Sequence, residues 1–487
     1  MPSSRPDDPT RRQLLVDATR IALGSACGMA TLGRLQMAQA ASRADDYRAL
    51  VCLFLLGGND SYNMVVPRSS AEHGTYAAAR PNLAIARETL LPITPSAGSA
   101  GADWGLHPAM PEMAALFQQG KAALLANVGP LIVPTSAADV QQQSVPLPPE
   151  LFSHIDQQAH AMSLGSEVAA APGWGGRLAD RLTERLGIPA GSGRLPLSLT
   201  LSGNNAWQNG ASGGLYTLGA TGATRLDASL RSTGNARWDT RRGAFNALLD
   251  LGKRESPVLV RAAAEATRTA RDFSESVNAA IDGVTITTPF PSSTLAQQLR
   301  TVARVIGARR TLGQTRQVFF VGFGGWDTHD RMLDDHHTLL GTISQALGAF
   351  HQATMELGVS TSVTSFTMSD FGRTLNNNGD GTDHGWGGHS WILGGDVVGR
   401  RIYGTMPDYA LGSSQDVGRG RMIPTTPVEQ LGSTLARWFG LGFSDANEIF
   451  PNVRNFGNTG DYLPMLASTN AVINDVGFTR NRGGGKG

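Results

Sequence analysis

The chain has 487 residues, a formal net charge of +1 and charged side chains at only 17% of positions. This length and apolar content suffice for a large core and exclude an intrinsically disordered chain. A balanced charge without a Lys/Arg stripe argues against nucleic acid or an acidic membrane surface as a partner.

The chain opens with Thr10-Arg11-Arg12-Gln13-Leu14-Leu15, a short apolar run from Ile21 to Gly33, and Ala38-Gln39-Ala40. Charged start, brief apolar middle and small-x-small end read as a secretory signal of the twin-arginine type, cleaved near Ala40. The apolar run is too short to span a bilayer. The expectation is passage through the twin-arginine (Tat) translocase to a periplasmic or secreted location, with no transmembrane segment in the mature chain. That route carries folded proteins, often already loaded with a metal or cofactor. Of the two cysteines, Cys27 lies in the leader, which leaves Cys52 without a disulfide partner. Packing must then hold the fold together.

After the leader, short apolar runs alternate with helical periodicity, the pattern of a mostly parallel sheet covered by helices on both faces. Strands are expected at Arg48–Leu56, Ala122–Val128, Leu195–Leu201, Gln317–Phe323, Ser362–Met368 and His389–Gly394. Helices are expected at Pro111–Gln119, Ser153–Leu164, Thr240–Leu251, Ser256–Ile281, Ser293–Arg310, Asp334–Leu357 and Thr426–Phe439. The reading is one doubly wound α/β domain over residues 41–465, with a helical or irregular insertion at about 203–290 and a frayed tail at 466–487.

Three of the strongest strands end alike. The first runs into Gly57-Gly58-Asn59-Asp60-Ser61, another into Gly324-Gly325-Trp326-Asp327-Thr328-His329, and a third into Ser369-Asp370-Phe371-Gly372-Arg373. In an open α/β sheet, ligands sit outside the carboxyl ends of the strands. Asp60, Asp327 and Asp370 delivered to one edge would repel one another unless a cation sits among them. His329, His384 and His389 fall in the same loops. Mixed Asp/His donors suit a divalent metal, with zinc the first expectation and manganese, iron or calcium as alternatives. Ser153 reads either as a helix N-cap or as a nucleophile beside a metal. Arg373 reads either as a structural arginine or as a bidentate oxyanion donor. Gly-x-Ser-x-Gly, Gly-x-Gly-x-x-Gly after a strand and a phosphate loop are all missing, so no nucleotide cofactor is expected.

The leader together with LVCLFLLGGNDSYNMVVP (50–67), GLHPAM (105–110), FSHIDQQ (152–158), GGWDTH (324–329) and SDFGRTLNNNGDGTDHGWGGH (369–389) resembles the exported family known as domain of unknown function 1501. The resemblance spans nearly all of the chain after the leader. That family is similar to the alkaline phosphatase and sulfatase superfamily, whose members place two metals beside a Ser, Thr or Cys nucleophile on a doubly wound sheet. The resemblance implies Asp60, Asp327, His329, Asp370 and either His384 or His389 as metal ligands, with Ser153 as nucleophile. Two departures stand out: His329 follows Asp327 by two residues instead of four, and Phe371 occupies the place of a ligand histidine. The function implied is an exported metal-dependent hydrolase of phosphate or sulfate esters, acting on a small anionic ester or glycan. The alternative is a non-catalytic cell-envelope or extracellular binding or scaffold protein on the same fold.

Overall fold

The computed structural model describes residues 46–96, 103–164, 172–188, 195–224, 236–254, 257–456 and 463–468. The expected leader, and all of the expected tail beyond residue 468, lie outside these residues. The chain divides into a leading stretch, Met1–Tyr47, and a unit from Arg48 to Gly487, which carries the features described below.

The strands are β1 (Arg48–Leu56), β2 (Val65–Pro67), β3 (Leu91–Ile93), β4 (Trp104–Leu106), β5 (Ala122–Gly129), β6 (Ser198–Thr200) and β7 (Leu215–Gly219). They continue with β8 (Gly222–Ala223), β9 (Arg316–Gly324), β10 (Val363–Ser369), β11 (Gly388–Gly394), β12 (Ile402–Tyr403) and β13 (Thr426–Pro427). The helices are α1 (Ser61–Met64), α2 (Ser70–Ala79), α3 (Pro111–Gln118), α4 (Ala137–Gln142), α5 (His154–Ser163) and α6 (Trp174–Arg185). After them come α7 (Ala236–Arg254), α8 (Val258–Asp282), α9 (Thr294–Gly307), α10 (Met332–Glu356), α11 (Val428–Phe439) and α12 (Phe443–Ile449).

The main sheet runs β12-β5-β11-β10-β1-β9-β6-β7-β8, with β13 also beside β5. From β10 through β7 the neighbours are parallel, and β11 runs against both β10 and β5. A separate small antiparallel sheet joins β2, β4 and β3. The unbroken apolar run of β1 follows from its central place: every residue from Ala49 to Leu55 is buried, so both faces of the sheet are covered. On one face Leu50, Cys52 and Phe54 share a core with Trp174, Leu178 and Leu182 of α6 and Leu431 and Leu435 of α11. Among the described residues no helix is long and apolar enough to cross a membrane.

Two expectations of the sequence needed revision. Residues 203–290 are not merely laid over the sheet, because β7 extends it beside β6 before α7 and α8 begin. Helix α6 was unforeseen because Gly175 and Gly176 punctuate its start like a loop. A Cβ on Gly176 would run into the Asn209 carbonyl, so glycine there lets the helix approach the backbone of residues 207–210.

The register places Leu55 opposite both Ser369 of β10 and Phe323 of β9, so these three strands finish level and their loops share one edge. Gly57, at φ +119°, turns β1 so closely against the next loop that a Cβ would lie 2.5 Å from the Asp327 amide nitrogen. Asp60 then caps α1, accepting the N–H groups of Tyr62 and Asn63 at 3.1 Å each. Both of its carboxylate oxygens also accept from Arg80, Oδ1 at 2.9 Å. The pair is fully buried. Burial alone would raise the Asp60 carboxyl, and the Arg80 charge overrides it, holding the group below the ordinary carboxylate range.

Replacing Arg80 by methionine strands a buried carboxylate and should cost about 3–5 kcal/mol, read as a lower urea midpoint with unchanged slope. The folded pKa of Asp60 is depressed. The pair's contribution is therefore present above the ordinary carboxylate pKa of about 4 and lost as pH falls through the lower folded value. The gap between wild type and Arg80→Met should accordingly narrow in acid.

Candidate metal centre

The three loops at the common edge bring Asp327, His329, Asp370, Arg373 and His384 into one neighbourhood. The N-terminus of α5 adds His154, the histidine that reasoning from the sequence passed over in favour of its neighbour Ser153. Single ligand atoms of His154, Asp327 and His384 all lie within 4.8 Å of one another. His154 Nε2 is 3.3 Å, and His384 Nε2 3.6 Å, from Asp327 Oδ1. His329 Nε2 flanks this group, 3.1 Å from the same oxygen and 2.9 Å from His384 Nε2.

The partners of the other ring nitrogens assign the tautomers. His154 Nδ1 is 2.9 Å from the Asp370 carboxylate and donates to Oδ2. His384 Nδ1 is 2.7 Å from the Phe152 carbonyl, which only accepts. In its neutral form each ring then turns its Nε2 lone pair toward Asp327. Such outer hydrogen bonds are what fix the orientation of metal-ligating histidines. Among the described residues, His154 Nε2 and Asp370 Oδ1 are buried without a hydrogen-bond partner. A four-coordinate zinc with bonds of ~2.0–2.1 Å separates its ligand atoms by roughly 3.3 Å. Within the group of His154, Asp327 and His384 the two distances to Asp327 Oδ1, 3.3 and 3.6 Å, lie close to that value. The donor set thus fits a divalent cation of the zinc type.

Phe371, in the place of the missing histidine, packs its ring 4.7 Å from the His154 ring and 4.8 Å from the His384 ring, measured between centroids. It serves as a wall that holds the two imidazoles. The centre is open on one side, since the Asp327 side chain is 48% exposed while that of Asp370 is 4% exposed. Burial raises the Asp370 carboxyl despite its bond to His154. Burial would also raise Asp327, but the hydrogen bond and charge of Arg373 outweigh it and lower the group. Burial pushes His384 toward the neutral form that a metal ligand requires.

Five of the site residues expected from sequence have other partners in the structure. Asp60 is not a ligand here, because Arg80 and the first turn of α1 occupy its oxygens. His389 is buried in β11 at the foot of the loop: its Nδ1 accepts the Asn127 N–H at 3.0 Å and its Nε2 lies 3.2 Å from the Tyr409 hydroxyl. With burial pushing it down to about 4, it is a neutral core residue with both nitrogens in use. Ser153 is the N-cap of α5, bonded to Asp156 through both the side-chain oxygen at 2.5 Å and the backbone N–H at 3.5 Å. Arg373 is fully buried and spends its donors on Asp327 at 2.6 Å, the Gly57 carbonyl at 3.1 Å, and the hydroxyl and carbonyl of Thr382. It positions Asp327 and has no fork left for an oxyanion. Asp370 stays at the centre as the partner of His154, with no place in the three-residue group.

The sequence profile of a family described as "Protein of unknown function (DUF1501)" matches residues 47–442. Among curated proteins none matches the chain. Solved structures with a related trace include Ps i-CgsB in complex with k-i-k-neocarrahexaose, at 9% identity and a TM-score of 0.34, covering 84% of this chain and 76% of its own. The sulfatase PsFucS1 from Pseudoalteromonas sp. is 11% identical with a TM-score of 0.32, covering 89% and 75%. The lipoteichoic acid synthase LtaP from Listeria monocytogenes is 9% identical with a TM-score of 0.30, covering 82% and 74%. Likenesses this distant assign no role to any residue of this chain.

Ser153→Ala should behave as a loss of helix cap, costing about 1 kcal/mol in urea unfolding and leaving metal uptake unchanged. A Ser153→Ala protein that takes up no metal would return this residue to the centre.

Proposed function

This chain belongs to the DUF1501 family, and from that premise we propose that it is an exported metal-dependent hydrolase of phosphate or sulfate esters. The centre is a divalent cation, zinc first, held by His154, Asp327 and His384. One observation carries the reading: ligand atoms of two imidazoles and one carboxylate lie within 4.8 Å of one another, and the other ring nitrogen of each imidazole is held by Asp370 or the Phe152 carbonyl. Structural carboxylates gather near cations of the protein, but a structural histidine does not bury an unpartnered ring nitrogen as His154 does.

When bound, the cation supplies neutralisation of charge building on an ester oxygen. The chain's own residues do the rest. Asp370 and the Phe152 carbonyl orient the two imidazoles, Phe371 keeps water from behind them, and Arg373 fixes the Asp327 carboxylate. His329, with its side chain 43% exposed and Nε2 beside Asp327, is placed to hold or release a proton at the open side. The substrate class is a small anionic ester, free or on a glycan. Export by the twin-arginine translocase to the periplasm or beyond belongs to the same proposal and is supported by the Arg11-Arg12 leader.

A second reading, a non-catalytic cell-envelope or extracellular binding protein on this fold, is favoured by Ser153 acting as a cap and by Phe371 in a ligand position. Elemental analysis of protein exported through its own leader, followed by turnover on a panel of phosphate and sulfate esters, decides between them. The hydrolase reading expects about one zinc per chain, lost with all turnover in Asp327→Ala. It also expects Asp370→Asn to weaken metal affinity about 10–100-fold through its effect on His154. Metal without turnover would select the binding protein, and metal content untouched by Asp327→Ala would end the assignment of the centre.

A further inference from the structure

With Arg373 committed to the protein, an anionic ester at this centre needs a different positive partner. Arg421 follows a loop in which Arg419 takes a left-handed backbone at φ +61°. Its guanidinium carbon lies 4.2 Å from the centroid of the Phe152 ring, and its Nε donates to the His384 carbonyl at 3.2 Å. Phe152 in turn accepts the His384 ring N–H through its own carbonyl. Arg421, Phe152 and His384 therefore close a ring of contacts: cation on aromatic face, carbonyl on imidazole, carbonyl on cation.

Phe152 holds its part at φ +74°, a left-handed conformation that a bulky residue adopts only when its surroundings enforce it. Strain of this kind costs of order 1–3 kcal/mol and gathers at functional sites. Nη1 and Nη2 of Arg421 have no hydrogen-bond or ion-pair partner among the described residues, whereas neighbouring Arg419 is paired with Asp383 at 3.0 Å. The result is a fixed guanidinium, attached to the backbone of a ligand histidine, with two donor groups in reserve.

We propose that Arg421, stacked on Phe152, is the anion-recognition residue of this centre and takes the tetrahedral oxyanion of a sulfate or phosphate ester. The inference rests on the reading of the metal centre given above. Its test is calorimetric titration of inorganic phosphate, and separately of inorganic sulfate, into the mature protein in zinc-loaded and metal-stripped forms. Arg421→Gln should bind as much zinc as wild type and lose at least about tenfold in phosphate affinity in both forms. Arg421→Lys, which keeps the charge but loses the planar fork and the stack, should fall between them, and it carries the comparison if Arg421→Gln does not fold. A wild-type protein that takes no zinc refutes the metal centre, and the metal-stripped titrations then still judge Arg421. Equal phosphate affinity in wild type and Arg421→Gln, or no binding by wild type, overturns the role of Arg421.

Discussion

Carboxylates delivered by neighbouring parallel strands to one edge of a sheet repel one another, and the local structure of this protein is the resolution of that repulsion. Each acid is given its own counter-charge or donor. Asp60 is neutralised by Arg80 in the interior, Asp370 is capped by an imidazole, and Asp327 is gripped by Arg373 on one side while its other side meets solvent. Crowding of acids alone therefore does not demand a metal, because guanidinium groups already discharge it. What the guanidinium groups leave unanswered is the His154 Nε2 nitrogen, buried beside Asp327 without a hydrogen-bond partner.

This division leaves the imidazoles as the distinctive members of the group. Phe371, beside Asp370, offers no donor, and His154 brings a nitrogen from the start of α5. Asp370 orients that ring at 2.9 Å. Phe371 is not a vacancy in this arrangement but the surface against which both rings rest. A group built this way depends on α5 staying docked, since that helix carries His154.

The sheet was largely legible in the sequence because long buried strands favour apolar runs, which β1 has throughout and β5 and β9 have over most of their length, whereas β10 buries Thr and Ser among its apolar residues. Strand β7, one place in from the end of the sheet and only partly buried, lacks that demand and is too short to declare itself. The gathering of loops at one edge was legible too, from Gly-rich turns followed by acids. Which members of those loops do chemistry was not. Asp60 and Asp327 look alike in sequence, and only the arrival of Arg80 twenty residues after Asp60 separates them. His384 and His389 share one loop, yet β11 begins at Gly388 and carries His389 into the core. Ser153 and His154 are adjacent, and a single residue's difference in direction decides which of them caps and which faces Asp327.

Cys52 lies in the middle of β1, fully buried with its thiol pushed up by burial, and is the sole thiol among the described residues. A thiolate is the form that reacts with oxidants and alkylating agents, so this sulfur stays silent while the central strand remains paired on both sides. The strand that carries it also ends at Gly57, against the backbone of Asp327. Any event that exposes Cys52 must lift the helices packed over it or part the strands whose level ends assemble the centre, and the chemical silence of one sulfur atom becomes a gauge of whether the layers beneath the site are intact.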